Sequence, residues 1–218
     1  MIELHLKNIH TSRRRIRRLS QAAGLLVKTH HRKPRTTNSN HDLSIFPNIL
    51  DRDFTAPAPN LIRVSDTTEV RMADHRLYLC TIIDLFSQIF VGHALSRCND
   101  ATLVQGAVNA AIEYRQPEIG YVFHADRGST YASHAVRNLV HANVFVQSMS
   151  RRANCWDDAV AESAFARIKS DLGTKFETDL IATTVINEYL TVFHNHIRIQ
   201  TTIGMAPASF ESMLAAAA

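Results

Sequence analysis

Between Leu61 and Leu95 the chain holds three short apolar or β-branched runs, Leu61–Thr67, Leu77–Asp84 and Ile89–Leu95, separated by gaps only long enough for turns. Runs of this kind bounded by turn residues read as strands of an antiparallel meander. The period then changes. Across Ala101–Tyr114 the residues Leu103, Val104, Ala107, Val108, Ala111 and Ile112 recur at helical spacing. Tyr121–His124 reads as a buried strand, Ser133–Ala142 as a helix opened by its capping serine, and Val144–Gln147 as a further strand. Two more helices are expected at about Trp156–Leu172 and Thr183–His196. A meander feeding a helix–strand alternation calls for an α/β fold, a mixed five-stranded sheet flanked by helices.

Charge divides the chain ahead of that block. Up to Thr36 there are ten Lys or Arg against Glu3 alone, a local charge of +9, while the remainder holds 14 basic and 19 acidic residues. Ser12–Gly24 reads as a helix with Arg13, Arg14, Arg15, Arg17 and Arg18 on its outer face. A basic arm on a mildly acidic domain suits nucleic acid, and a solvated helix without a partner is the bland reading. The expected organisation is therefore a basic helical arm over residues 1–36, a linker over 37–60, a core with its C-terminal helices over 61–210 and a tail over 211–218. Within the linker, Ile45-Phe46 and Ile49-Leu50 are expected to dock on a neighbouring surface.

Other classes fall away on composition. No run approaches the 18 or so apolar residues of a membrane span, and no secretion-signal pattern opens the chain. Cys80, Cys98 and Cys155 form an odd set without close spacing, which suits a reducing cytoplasm rather than a disulfide framework. His30, His31 and His41 lack the Cys-x-x-Cys companion of a structural zinc site.

The acids carry the chemistry. Asp66 lies inside the first strand, where a charge is rare unless paired or metal-bound. Asp126 follows the fourth strand in His124-Ala125-Asp126-Arg127-Gly128-Ser129, at the strand end where ligands gather in mixed sheets. Glu162 shares a helix with the apolar stripe Ala161, Phe165, Ile168 and Leu172, and with Asp158 and Lys169 it lines the edge of that stripe. Each acid alone suits an ion pair, a turn or a solvated helix face. Together, three converging carboxylates repel unless a cation sits among them. Hard oxygen ligands without a cysteine favour Mg2+ or Mn2+, and such a site holds two ions about 3.5–4 Å apart that clamp the attacking and leaving oxygens of a phosphoryl displacement. Lys169, Arg151 and Arg152 are placed to hold DNA phosphates or to serve as ordinary surface cations.

At these residues the sequence resembles the second-frame proteins of bacterial insertion sequences, whose transposases share the retroviral integrase core. The resemblance runs through Pro47–Phe54, Tyr78–Ser87, His124–Tyr131 and Ser148–Cys155, then Glu162-Ser163 with Lys169, Asn195 with Arg198, and Gly204 with Pro207. Between Asp126 and Glu162 lie 35 residues, the spacing that marks the class. The resemblance implies a ribonuclease H-like fold, which the element order also favours, with Asp66, Asp126 and Glu162 as a catalytic, metal-binding triad. It implies metal-dependent DNA cleavage and strand transfer on the element's terminal repeats and a target. It further implies a homo-oligomer on DNA, an upstream-frame helix-turn-helix partner, and a cytoplasmic, nucleoid-associated protein of bacteria. Asp84 is treated by the same pattern as structural, in keeping with a strand-end turn.

The chain also departs from that pattern. Val64, Arg76 and His93 stand where tryptophan is usual; Ala153, Asp158 and Ala164 replace Gly, Asn and Phe; His194 and Gln200 replace tyrosine and histidine. Lost aromatics remove buried area, and a buried Arg or His is costly unless it reaches water. These departures motivate a second reading, a catalytically impaired or truncated copy that only binds DNA. A third is a nuclease without strand transfer.

Overall fold

In the computed structural model the three runs after Leu61 pair as the expected meander: β1 (Ile62–Met72), β2 (Arg76–Asp84) and β3 (Phe90–Ser96). The structure describes residues 2–25, 41–116, 120–151, 157, 159–173 and 175–216. Two short helices, α1 (Ile2–Leu6) and α2 (Arg13–Ala22), precede the sheet. After it come α3 (Ala101–Arg115), β4 (Val122–Ala125), α4 (His134–Ala142), β5 (Val146–Met149), α5 (Ala159–Leu172), β6 (Lys175–Phe176), α6 (Asp179–Glu188) and α7 (Pro207–Ala215). The sheet order is β3-β2-β1-β4-β5, antiparallel through β1 and parallel beyond it, with β6 added to the far end of β1.

Both faces of the sheet are covered, and alternation along β2 shows why. Cys80 and Ile82 point to one side, where Leu103, Val104, Ala107 and Val108 of α3 and Val136 and Val140 of α4 complete a core. Leu77, Leu79 and Ile83 point to the other, against Ala164, Phe165 and Ile168 of α5 and Ala182, Ile186 and Leu190 of the following helices. Period-2 strands with apolar residues on both faces need helices on both faces. Side-chain caps fix where these helices begin. Asp100 accepts from Leu103 N at 3.1 Å and Ser133 from Val136 N at 3.3 Å.

Four elements differ from expectation. β1 continues to Met72 rather than stopping near Thr67, because β2 pairs with it as far as Arg71↔Arg76 and the buried Glu69 carboxylate is met by Arg76 at 2.9 Å. The helix expected at Thr183 starts at Asp179, capped by Thr178, and from Tyr189 to Ile197 it continues as a π-helix. The helix α7 and the two-residue β6 leave too little periodicity to be seen in sequence. In the segment expected to be a linker, Leu50 is buried and Ile45 and Phe46 pack on the α3/α4 core, whereas Ile49 stays exposed.

At the end of the sheet away from the candidate site, Asp84 is fully buried and accepts from Asn60 N at 2.6 Å and Phe86 N at 3.0 Å. It is the structural acid that the sequence suggested. Asn195 of the π-helical segment both donates to Phe90 O and accepts from Phe90 N, each at 3.0 Å.

At Gly92, β3 packs directly against the backbone of α3. A Cβ added at Gly92 would sit 2.5 Å from Ala107 O and 2.7 Å from Ala111 Cβ. Gly92→Ala is therefore expected to destabilise the fold by about 1–3 kcal/mol, the usual range for overpacking. Urea unfolding checks it, and an unchanged midpoint would show that the helix is free to move away.

Candidate active site

The parallel pairing of β1 with β4 runs through Ile62↔Val122, Arg63↔Phe123, Val64↔His124 and Ser65↔Ala125, and stops there. The next residue on β1 is Asp66, and the next after β4 is Asp126. Neighbouring strands lie about 4.8 Å apart, so the pairing delivers the two acids side by side. On that same edge β1 is next paired by β6, at Arg71 and Met72. Among the described residues, the stretch 66–70 between these pairings has no strand beside it on that edge. A notch in the sheet results, with Asp66 and Asp126 at its head.

Alternation assigns the notch to one face. Val64, Val70 and Met72 lie in the α5-side core, so Asp66 and Thr68 share their side of β1. The α5 helix packs on this face, and Lys169 Nζ donates to Thr68 Oγ1 at 2.6 Å. Glu162 precedes Lys169 by seven residues, two helical turns, and falls on the same side of the helix. The chain leaves α5 to pair β6 with the end of β1, so α5 runs in the direction of β1. Seven helical residues span about 10.5 Å and each strand residue about 3.3 Å, so Glu162 falls about three residues back from Thr68 along that direction, next to Asp66 at about the level of Ser65.

Both aspartates are half-buried and oriented by backbone amides. Asp66 Oδ1 accepts from Thr67 N at 2.7 Å, and Asp126 Oδ1 from Gly128 N at 2.9 Å. Beneath them lies a buried polar trio. Tyr131 OH bonds Ser65 Oγ at 2.8 Å, and the Cys80 thiol lies 3.6 Å from both hydroxyls. Burial raises the Cys80 thiol to about 11, and it lifts the Tyr131 hydroxyl well above its ordinary range. In both cases the charges of Asp66 and Asp126 push the same way, so the two acids share one neighbourhood. Among the described residues, no three His, Cys, Asp or Glu side chains form a ready-made metal-ligand group.

The basic candidates separate. The five arginines of α2 are all exposed, and Ser12 caps that helix through Arg15 N at 3.2 Å. Arg151 turns its guanidinium to Asp157, with Nε and Nη2 each at 2.9 Å, and to Asp51 at 3.0 Å. Arg152, Cys155 and Asp158 lie outside the described residues, as do His30 and His31. Cys80 and Cys98 are free thiols. His41 bonds Arg127 O at 3.1 Å.

The departures from the family pattern have local solutions. Val64 is buried in the α5-side core, and Arg76 keeps its side chain 63% exposed, so its charge stays in water. His194 lies edge-on to Phe90 with ring centroids 4.5 Å apart, and Nε2 is 3.1 Å from Gln88 O. Gln200 reaches the same ring nitrogen at 3.1 Å and accepts from Arg167. Sequence reasoning missed Asp157, Thr68 and the Ser65–Tyr131 pair, since all three are tertiary contacts without local periodicity.

Comparison with known proteins agrees with this geometry. Residues 56–155 match the family model described as integrase core domain. The uncharacterized 31 kDa protein of insertion element IS600 from Shigella sonnei is 33% identical over 211 residues, covering 95% of this chain and 78% of that protein. The transposase for insertion sequence element IS904 of Lactococcus lactis is 30% identical over 211 residues, covering 95% and 83%. In fold, the chain resembles the simian T-cell lymphotropic virus intasome, with a TM-score of 0.60 at 15% identity over 96% of this chain and 73% of that one. It also resembles the HTLV-2 integrase catalytic core domain in complex with magnesium, trimeric form, with a TM-score of 0.55 at 13% identity over 72% and 99%. A mixed sheet of this order with helices on both faces is a ribonuclease H-like integrase core, the fold of polynucleotidyl transferases. The chain belongs to the insertion-sequence DNA transposases built on that core.

One departure makes the fold sensitive to pH. Burial lowers the His194 imidazole to about 4, below its unfolded value near 6.5. Below pH 6.5 the unfolded chain takes up a proton that the folded chain refuses, so stability falls as pH drops from about 6.5 to 4. His194→Phe is expected to remove up to about 3 kcal/mol of that loss, measured as urea midpoints between pH 7 and 4.5. Parallel curves for variant and wild type would assign the acid sensitivity elsewhere.

Proposed function

We propose that Asp66, Asp126 and Glu162 are the catalytic carboxylates of this transposase and hold divalent metal, Mg2+ or Mn2+, with two ions as the working number. The observation carrying this reading is the end of the β1–β4 pairing immediately before two aspartates, on the face where α5 carries Glu162. The donor set fits the ion, since all three side chains offer hard carboxylate oxygens and none offers sulfur. Divalent cations bound there supply charge neutralisation and Lewis acidity for attack on a phosphodiester by water or a 3′-hydroxyl. The chain's own part is to fix the acids on a strand, a strand end and a helix, and to hold Lys169 through Thr68 beside them for a DNA phosphate.

DNA is the proposed substrate, in the form of the element's terminal repeats and a target site. Similarity to an intasome supports assembly as a homo-oligomer on that DNA, and a helix-turn-helix protein from an upstream frame is a further proposed partner. Phosphate contacts are assigned to Arg13, Arg14, Arg15, Arg17 and Arg18 of α2, to Lys169, and to Arg151 and Arg152. Arg151 would share its guanidinium between a phosphate and the two carboxylates it already meets. The impaired-copy reading is less favoured, because Arg76 reaches water and His194 is hydrogen-bonded in place.

Asp126→Asn and Glu162→Gln are each expected to lower strand transfer from pre-cut 3′ ends by a hundredfold or more. Both should also abolish the magnesium-induced rise in thermal midpoint that the triad predicts for the wild type. Retained strand transfer in either would remove that residue from the triad, and hydrolysis products alone from the wild type would make the protein a nuclease. Replacing the five α2 arginines with alanine should flatten the plot of log affinity against log salt by up to about 4 units. An unchanged slope would move the DNA-binding surface off the arm.

A further inference from the structure

Asp157 lies five residues before Glu162, and its carboxylate is fully buried with 0% side-chain exposure. It accepts from Asn48 Nδ2 at 3.0 Å, Arg52 Nε at 3.4 Å, and Arg151 N, Nε and Nη2 at 2.9 Å each. Five donors from two separate segments converge on one carboxylate. Arg151 above all holds that carboxyl far below the ordinary range, so it is charged at any working pH.

The backbone of the same residue is tied to the strand carrying Asp126. The Asp157 carbonyl lies 3.2 Å from His124 Nε2, which must therefore donate. His124 Nδ1 then accepts from Ser148 Oγ at 2.8 Å, and Ser148 Oγ in turn accepts from Ile49 N at 2.9 Å. The tautomer is thus set by its neighbours. The strap around Asn48–Arg52 is shaped for the task, since Asp51 and Arg52 both hold positive φ, 41° and 72°, unusual outside glycine. That turn directs the Arg52 side chain inward to a carboxylate beneath it.

We propose that Asp157 is a positioning residue for the metal site, fixing the start of α5 against β4 so that Glu162 stands at a set distance from Asp126. The inference rests on the triad reading above. A charged, buried, fully engaged carboxylate resists displacement in every direction, because moving it strands at least one charged donor away from its partner. The Arg52 and Asn48 contacts make the strap the third support of this joint. A strap from the segment ahead of the core thereby takes part in the geometry of the catalytic acids.

The test uses the full chain and magnesium as the probe, read by the metal-induced shift in thermal midpoint and, separately, by strand transfer. Asp157→Asn keeps the side-chain size and removes the charge. It is expected to raise the half-saturating magnesium concentration about 10- to 100-fold in both readouts, the usual effect of removing an outer-shell support. Saturating metal should restore most of the rate. A lowered midpoint without metal, combined with unchanged half-saturation, would mean a purely structural role and overturn the proposal. Should Asp157→Asn fail to fold, Asn48→Ala and Arg52→Gln each remove one strap donor and should raise half-saturation several-fold, while unchanged values in both overturn it. A wild-type midpoint indifferent to magnesium, with strand transfer retained in Glu162→Gln, sinks the triad reading first and this inference with it.

Discussion

Four parallel residue pairs between β1 and β4 bring together what the rest of the molecule uses. They end at Ser65 and Ala125, so the residues after them leave the ladder side by side at the head of the notch. Everything around this pairing keeps it in register. Phe123 and Ala125 anchor β4 in the α3/α4 core, Val64 anchors β1 on the opposite face, and the Ser65–Tyr131 hydrogen bond ties the turn after Asp126 back to β1. A slip of one residue would turn Asp66 away from α5 and bury it against α3.

Where the family pattern has aromatics, this chain fills the positions in two different ways. Where the replacement is small, as at Val64 and Ala164, the neighbouring side chains close over it and both stay buried. Where it is polar, it either reaches water or is hydrogen-bonded inside. Arg76 does the first while meeting Glu69; His194 does the second by donating to Gln88 O, and Gln200 by accepting from Arg167. A buried imidazole held in its neutral form is compatible with folding at neutral pH, and its cost appears only in acid.

Much of the sheet was legible because its strands are short, β-branched and separated by turn residues, so periodicity and length agree. The helix carrying Glu162 was legible from its apolar stripe, since Ala161, Phe165 and Ile168 are buried and Leu172 is partly so. The extension of β1 past Thr67 was not, because Thr68 and Glu69 look polar in sequence and owe their burial to Lys169 and Arg76, supplied from elsewhere. Asp157 was hidden for a similar reason. Its partners Asn48 and Arg52 are more than a hundred residues away in the chain, a separation that local pattern does not register. The short helix α7 was lost within small residues, although Glu211 from it accepts from Ser87 and pairs with Arg115.

The double hydrogen bond from Asn195 to Phe90 has an effect on the outer rim of the sheet. Among the described residues β3 is its last strand on that side, and an exposed last strand offers unpaired amide and carbonyl groups to any extended chain that meets it. At Phe90 both groups are already taken by the carboxamide of one side chain. The beginning of that rim is thereby closed to β-strand addition, and the π-helical turn acts as a guard against edge-to-edge aggregation of the transposase.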